Sequence, residues 1–418
     1  MRIERVERFL VRVPFRDPHV QAMGRRSGDW SLVELCKVIA DHGLTGWGET
    51  IIHYTWSAVT DSAVDRAVGQ NPYALLWDDS LGAGLQMALW DLCGKHAGVP
   101  AHQLLGRRCR DAAPLSYWCM DMPAPEWAAE AQRAVQLGYT SLKLKARPWW
   151  DLEEQVRHLS ARLPRTFHLD LDFNDTLVNA GTAIPYLKRL EQFPLVSVFE
   201  SPIPQGDVEG GRKIQEHVAT PIAHHYGAPP IMTALREGVC DGFVLCGGAY
   251  RVAQEAAVAA QVGKPFWLQL VGTGITTAWA VQQGVVYSQA RWPAITCSEI
   301  YSDDLIRTPH RVEDGYVRVP DGPGLGIEVD EDAVEALRVD EAHIQCPWDL
   351  VAVRWLSGRR VYYRDKMAAM ADFLAGNQPG YEPGVSLEYL HAAGNPELIR
   401  LRERVQHGPV AGNEEFGK

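Results

Sequence analysis

Between residues 115 and 300 short apolar runs alternate with segments of helical length, and this alternation limits the fold more than any other feature. The runs are LSYWCM (115–120), TSLKLKA (140–146), FHLDLDF (167–173), LVSVFES (195–201), TPIAHH (220–225), GFVLCG (242–247), PFWLQLV (265–271) and AITCSEI (294–300). The gaps hold amphipathic stretches such as EWAAEAQRAVQLG (126–138) and YRVAQEAAVAAQVG (250–263). Parallel strands need a crossover of a dozen or more residues, which a helix supplies. Eight strands joined in this way predict a (β/α)8-type barrel. An open doubly wound sheet would carry a glycine-rich turn after its first strand, and none stands there.

The flanking segments read differently. Residues 2–13 alternate as a strand, SLVELCKVIAD (31–41) is a second, and HGLTGWGET (42–50) supplies turn glycines and a third. SLGAGLQMALWDLCGKHAG (80–98) follows as a helix with Leu85, Ala88, Leu89 and Leu92 on one face, ended by Gly98-Val99-Pro100. Residues 1–112 are therefore expected to form an α+β domain, and residues 113–310 the barrel. Residues 311–335 return to turns and short strands. Residues 336–418 form an extension with helical pieces, one of them capped by Asn395 with Pro396 at its first position. Tyr362, Tyr363, Met367, Met370, Phe373 and Leu374 stand there at helical spacing, too many to leave in water.

A net charge of −11 argues against a nucleic-acid partner. No signal peptide or membrane span is legible. Eight cysteines without CxxC spacing read as reduced thiols, so a cytoplasmic protein is expected.

Reactive side chains in such a barrel stand at the C-terminal ends of the strands. The second run places Lys143 and Lys145 on one face. The third offers Asp170, Asp172 and, past its end, Asn174; the fourth ends at Glu200. The fifth ends at His224, His225 and Tyr226, and the eighth at Glu299. A salt bridge from the lysines to a neighbouring carboxylate is the plain structural reading of the pair. Two carboxylates on adjacent strands also suit a hard cation such as Mg²⁺. A lysine beside another lysine has a depressed pKa and can act as a general base. Together these groups suit removal of a proton α to a carboxylate.

These residues resemble the enolase superfamily, in the branch of mandelate racemase and muconate lactonizing enzyme. The resemblance runs over residues 1–335. It is carried by GLTGWGET (43–50), ALWDLCGKHAGVPAHQLLG (88–106), the KLK and DFN stretches, FESP (199–202) and DGPGLGIEVD (321–330). It implies a modified TIM-type (β/α)7β barrel, capped by the N-terminal α+β domain, with residues 311–335 packing back on that cap. Residues ~16–30 and His53-Tyr54 would supply substrate-contacting loops. Lys145 matches the base and Lys143 its electrostatic partner. Asp172 and Glu200 match metal ligands, Asn174 supports them, and Glu299 matches a glutamate that contacts the enediolate. Magnesium is the expected ion, and a homo-oligomer the expected assembly.

Three positions depart from the pattern. His225 and Tyr226 stand where the third metal-ligating carboxylate is expected. Gln269 replaces a histidine base on the seventh strand, and Cys246 lies near the acid or lysine of the sixth. A ligand role for His225 would shift preference toward another divalent ion; a wall residue there would leave a weak site or none. His224 points to the other side of its strand. Cys246 and Cys297 read as small wall residues. With one base left, the resemblance implies a dehydratase acting on an acid sugar or related hydroxy acid. A one-base isomerase or cycloisomerase is the alternative, and a non-catalytic relative with a degraded metal site is the rival from another class.

Overall fold

The computed structural model describes residues 1–54, 56 and 58–412. Strands β1 (Ile3–Arg12), β2 (Leu32–Ala40) and β3 (Thr45–Ile51) form an antiparallel sheet in that order. Its inner face lies on the helix Ala83–Ala97, which is buried from Ala83 to Gly94 on every side and not along one stripe. The helix is covered on a second side by the barrel: Trp90 packs on Trp279 with ring centroids 5.5 Å apart. Gly46 and Gly48 let β3 approach the helix backbone; a Cβ on Gly48 would stand 2.1 Å from the Gly84 carbonyl oxygen.

The barrel strands are β4 (Ala112–Cys119), β5 (Ser141–Lys145), β6 (His168–Asp172), β7 (Val196–Glu200), β8 (Ile222–His225), β9 (Gly242–Leu245), β10 (Phe266–Leu268) and β11 (Ala294–Ile295). All eight expected runs are strands. β4 to β10 pair in sequence and in parallel. β11 pairs with β4, and a parallel bridge from Gln269 to Ile295 closes the ring. A helix fills each gap, including Ala124–Gln136 after β4 and Ala249–Gln261 after β9. The architecture is thus the expected (β/α)7β barrel with an N-terminal cap.

Residues 311–335 divide between two neighbours. A hairpin of β12 (Val312–Glu313) and β13 (Tyr316–Arg318) extends the barrel sheet antiparallel to β4, so this part sits on the barrel and not on the cap. The following loop reaches the cap helix, where Leu325 N donates to Asp91 Oδ1 at 2.9 Å.

The extension differs from the helical tail expected. Strands β14 (Leu350–Arg354), β15 (Arg360–Tyr363), β16 (Ser386–Leu390) and β17 (Val410–Gly412) form an antiparallel sheet, ordered β16-β14-β15-β17. Tyr362 and Tyr363 lie on β15, because the Ser357-Gly358 turn closes a hairpin and the β-branched residues before it pair. Met367, Met370, Phe373 and Leu374 do lie on a helix, Lys366–Leu374, and Asn395 caps the helix Pro396–Arg404. The sheet shares a core with the barrel loop after β5, through Trp149 and Trp150. None of the eight cysteines is in a disulfide, and no helix among the described residues is long and apolar enough to cross a membrane.

A buried polar junction ties the loop after β1 to the barrel. Glu130 Oε2 accepts from Arg16 Nη2 (2.6 Å), Tyr117 Oη (2.7 Å) and His19 Nε2 (3.0 Å). Burial works against its charge, yet these hydrogen bonds hold its pKa down to about 2.

Two predictions follow from this packing. Gly48→Ala should destabilise the chain by about 1–3 kcal/mol in urea titrations, since backbone cannot yield as a side chain does. Gly206→Ala, with nothing within 4 Å of the added carbon, should change stability by less than about 0.5 kcal/mol. A depressed folded-state pKa stabilises above the unfolded carboxylate value near 4.3 and is lost as pH falls toward 2. Glu130→Gln should therefore lower stability at pH 6 and flatten the acid limb of the stability profile between about pH 4.5 and 2.

Candidate active site

Strand register brings the charges together. Lys145 is paired with Asp172 across β5 and β6, and Asp172 with Glu200 across β6 and β7. Period-two alternation puts Lys143 one pleat below Lys145 on the same face. The result is a buried quartet of two ammonium and two carboxylate groups. Lys143 is fully enclosed. Its Nζ forms an ion pair with Glu200, stands 3.7 Å from Asp172 and donates to Gln269 Oε1 at 2.7 Å, over the Trp267 ring. Lys145 Nζ pairs with Asp172 and donates to Asn174 Oδ1 at 3.2 Å.

The pKa values of the two lysines are moved in opposite directions. Burial disfavours the charge on Lys143, but Glu200 and Asp172 outweigh it and its pKa is raised. For Lys145 burial prevails, helped by the charges of Lys143 and Arg147 against the pull of Asp172, and its pKa is lowered. The structural reading of the lysines as salt-bridge partners and the chemical reading of a tuned pair both describe what is present.

A cavity of about 420 Å³ opens on this quartet. Lys145, Asn174, His225 and Gln269 reach it, while Lys143, Asp172 and Glu200 lie behind its wall. Tyr54 from the cap reaches it too; it stacks near Trp30 with centroids 4.1 Å apart, and its Oη accepts from Gln269 Nε2 at 3.0 Å. His53 does not line the cavity; its Nδ1 accepts from Asp29 N at 3.0 Å.

Glu299 is not brought to the cavity. β11 ends at Ile295, and Cys297 takes a left-handed conformation (φ 58°) that breaks the strand alternation. Glu299 Oε1 instead accepts from Tyr139 Oη at 2.7 Å, and its carbonyl accepts from Arg16 Nε at 2.9 Å. Burial carries its pKa up to about 7. Cys297 is the residue of this turn that lies buried within electrostatic reach of both lysines. His224 is buried away from the cavity, and burial pushes its pKa down to about 4.

The residues expected to hold a metal do not fit a three-ligand site as arranged. Glu200 is paired across the sheet with Ala223, so His225 stands one pleat beyond the level of the two acids. Among the described residues, the ligand atoms of Asp172, Glu200 and His225 do not fall within 4.8 Å of one another; those of His19, Cys119 and Glu130 do. That second group is engaged otherwise, since Glu130 already accepts from Arg16, His19 and Tyr117. The Lys143 ammonium occupies the space between Asp172 and Glu200. Burial opposes charge on His225, but hydrogen bonds with Cys246 and Glu200 carry its pKa up to about 9, and a protonated imidazole does not coordinate. Its Nε2 lies 3.2 Å from Glu200 Oε1.

Apart from the lysine pair, sequence reasoning named none of the cavity cations, and two of those lie outside the cap. Arg147 follows β5 and donates to Asn174 Oδ1 at 2.9 Å. Lys366 comes from the extension, with its Nζ 3.3 Å from Asp121 Oδ1. The first was legible in KARPWW, a cation two residues past the lysine pair with tryptophans after it. The second had no signal, because nothing local says that residue 366 returns to the barrel mouth.

The chain is thus a capped (β/α)7β barrel that gathers lysines and carboxylates from consecutive strands at its C-terminal mouth. The comparisons agree. Residues 126–333 match the family described as enolase C-terminal domain-like. The chain is 23% identical to the N-succinyl-L-Arg/Lys racemase of Bacillus cereus, over 81% of this chain and 98% of that one. It is 26% identical to the D-galactonate dehydratase of Variovorax paradoxus, over 71% and 89%. The fold superposes on an enolase from Thermobispora bispora solved with magnesium and formate, with TM-score 0.68 and 24% identity, covering 81% of this chain and 92% of that one. The chain belongs to the enolase superfamily, in its mandelate racemase and muconate lactonizing branch. It is an enzyme-family member whose relatives include dehydratases, racemases and cycloisomerases.

Lys143 and a divalent ion compete for the same two acids. Lys143→Met should cost about 3–5 kcal/mol, because it removes the fully buried ammonium partner of Glu200. Mn²⁺ should then raise the melting temperature of the variant and leave that of the wild type unchanged. Stoichiometric Mn²⁺ binding by the wild-type chain in calorimetry would overturn this account of the site.

Proposed function

We propose that the chain removes the proton α to the carboxylate of a hydroxy acid, with Lys145 as base, and eliminates water. The observation that carries this is the division of the lysine pair: Lys145 reaches the cavity, and Lys143 is sealed behind it on Glu200. The neutral amine of Lys145 takes the α-proton. The resulting ammonium gives a proton to the β-hydroxyl, which leaves as water while the double bond forms. One group thus serves both halves of a syn elimination, and no base on the opposite face is needed. Gln269 lines the same cavity and offers an N–H donor to the enediolate oxygens, and the His225 ring stands beside it. The role expected for Glu299 is not retained, since its carboxyl faces Tyr139. No step is assigned to a metal.

The substrate is a small hydroxy acid, an acid sugar or a relative of one. A one-base isomerase or cycloisomerase is the second reading. It is favoured by Trp30, Met120 and Trp149 in the cavity wall, which give few partners to the hydroxyls of a polyol.

Proton exchange at the α-carbon in D₂O, followed by NMR across a panel of hydroxy acids, tests the reaction. Lys145→Ala should lower exchange and turnover by roughly 10²–10⁴-fold with the circular dichroism spectrum unchanged. Exchange that persists in the variant moves the base elsewhere. A wild-type chain that binds carboxylates and exchanges none of them favours the non-catalytic rival.

A further inference from the structure

The outer end of the cavity holds more positive charge than the fold can neutralise. Arg25, Arg147 and Lys366 line it. All three lie within electrostatic reach of the buried Asp121, and Arg147 also within reach of Asp172, which already pairs with Lys145. Asp121 is already the acceptor for Trp149 Nε1 (2.8 Å), Trp150 Nε1 (3.1 Å) and Lys366 Nζ (3.3 Å). Arg147 is spent on Asn174 and two backbone carbonyls. Arg25 makes no ion pair among the described residues; its guanidinium lies over the Trp30 ring at 4.6 Å and near Met120 Sδ. Asp365 also lines the cavity, but it is matched by Arg364 and caps the helix that follows. The exposed Arg26 adds a further positive group at the rim, bonded to carbonyls only.

Cations crowded at one end of a half-enclosed cavity, in a chain of net charge −11, call for an anion that is not part of the protein. At the inner end Lys143 and Lys145 already have carboxylate partners in Glu200 and Asp172. Much of the remaining wall is apolar: Trp30, Met120, Trp149, Trp348, Met367 and Met370. Three of these, with Lys366, come from the extension, beyond residue 333 where the family match ends.

We propose that the cavity takes a dianionic substrate, with one carboxylate directed to Lys145, a second anionic group held by Arg25 and Lys366, and an apolar body between them against a wall built by the C-terminal extension. This rests on the reading of Lys145 as the reactive end, and it narrows the substrate from polyol acids to diacids of low hydroxyl content.

Size-matched acid pairs test it without turnover: adipate against hexanoate, and homophthalate against phenylacetate, with affinities from isothermal calorimetry on the full chain. The wild type should bind each diacid at least tenfold more tightly than its monoacid partner. Arg25→Gln removes no internal ion pair and should keep the melting temperature while collapsing that ratio to within about twofold. Lys145→Ala should keep the preference, so loss of the elimination reading and loss of the dianion reading give different results. Equal affinity for both members of each pair, no diacid binding up to 10 mM, or a preference that survives Arg25→Gln overturns the proposal.

Discussion

Everything at the mouth of this barrel is arranged around four charges taken out of water on neighbouring strands. Lys143, Lys145, Asp172 and Glu200 are brought together by strand register: one residue of offset in β6 would turn Asp172 outward and leave Lys145 without its carboxylate. Such a cluster is poor value as a stabilising device. Desolvation of buried ions roughly cancels their attraction, and apolar side chains of the same volume would fill the space at no loss. What the quartet does supply is asymmetry. Glu200 holds Lys143 charged and fixed, and that fixed charge with burial weakens the hold of Lys145 on its proton.

The same arithmetic bears on the metal. A solved relative was crystallised with magnesium, and a hard cation of that kind needs oxygen donors converging from several directions. Here the third donor is an imidazole one pleat too high, and its hydrogen bonds favour the protonated form. An ammonium ion lies where the cation would neutralise the two acids. Both acids already have ammonium partners, so a divalent ion would have to displace Lys143 and not merely enter.

Much of this was legible in the sequence, and the boundary is physical. Barrel strands declare themselves because burial on both faces makes each run apolar, and the charged residues at their ends then stand out: Lys145, Asp172, Glu200 and His225 all fall at the cavity or directly behind its wall. Glu299 was misplaced because one left-handed residue, Cys297, cancels the alternation from which its direction was read. The level of His225 relative to Asp172 and Glu200 depends on pairing between strands, which a single chain read in order does not display. The extension was read as helices because Tyr362 and Tyr363 extended an apparent helical spacing, although LVAVRW and RRVYY around Ser357-Gly358 carried a hairpin signal. That its helix returns to the barrel mouth is a long-range contact with no local trace.

The six residues 145–150 explain why the extension and the site belong together. Lys145 ends β5 inside the quartet, Arg147 faces the cavity, and Trp149 and Trp150 enter the core of the extension sheet. Both indoles donate to Asp121, the same carboxylate that receives Lys366. Lys145, a second cation of the cavity and the anchor of the extension therefore share one short segment, and Asp121 is the knot between them. A wall attached in this way cannot swing independently of the lysine pair, so the distance between the reactive end and the cationic end is set by the fold. A cavity with a fixed span between a base and a cationic patch selects among substrates by the spacing of their charges, and it does so before any chemistry begins.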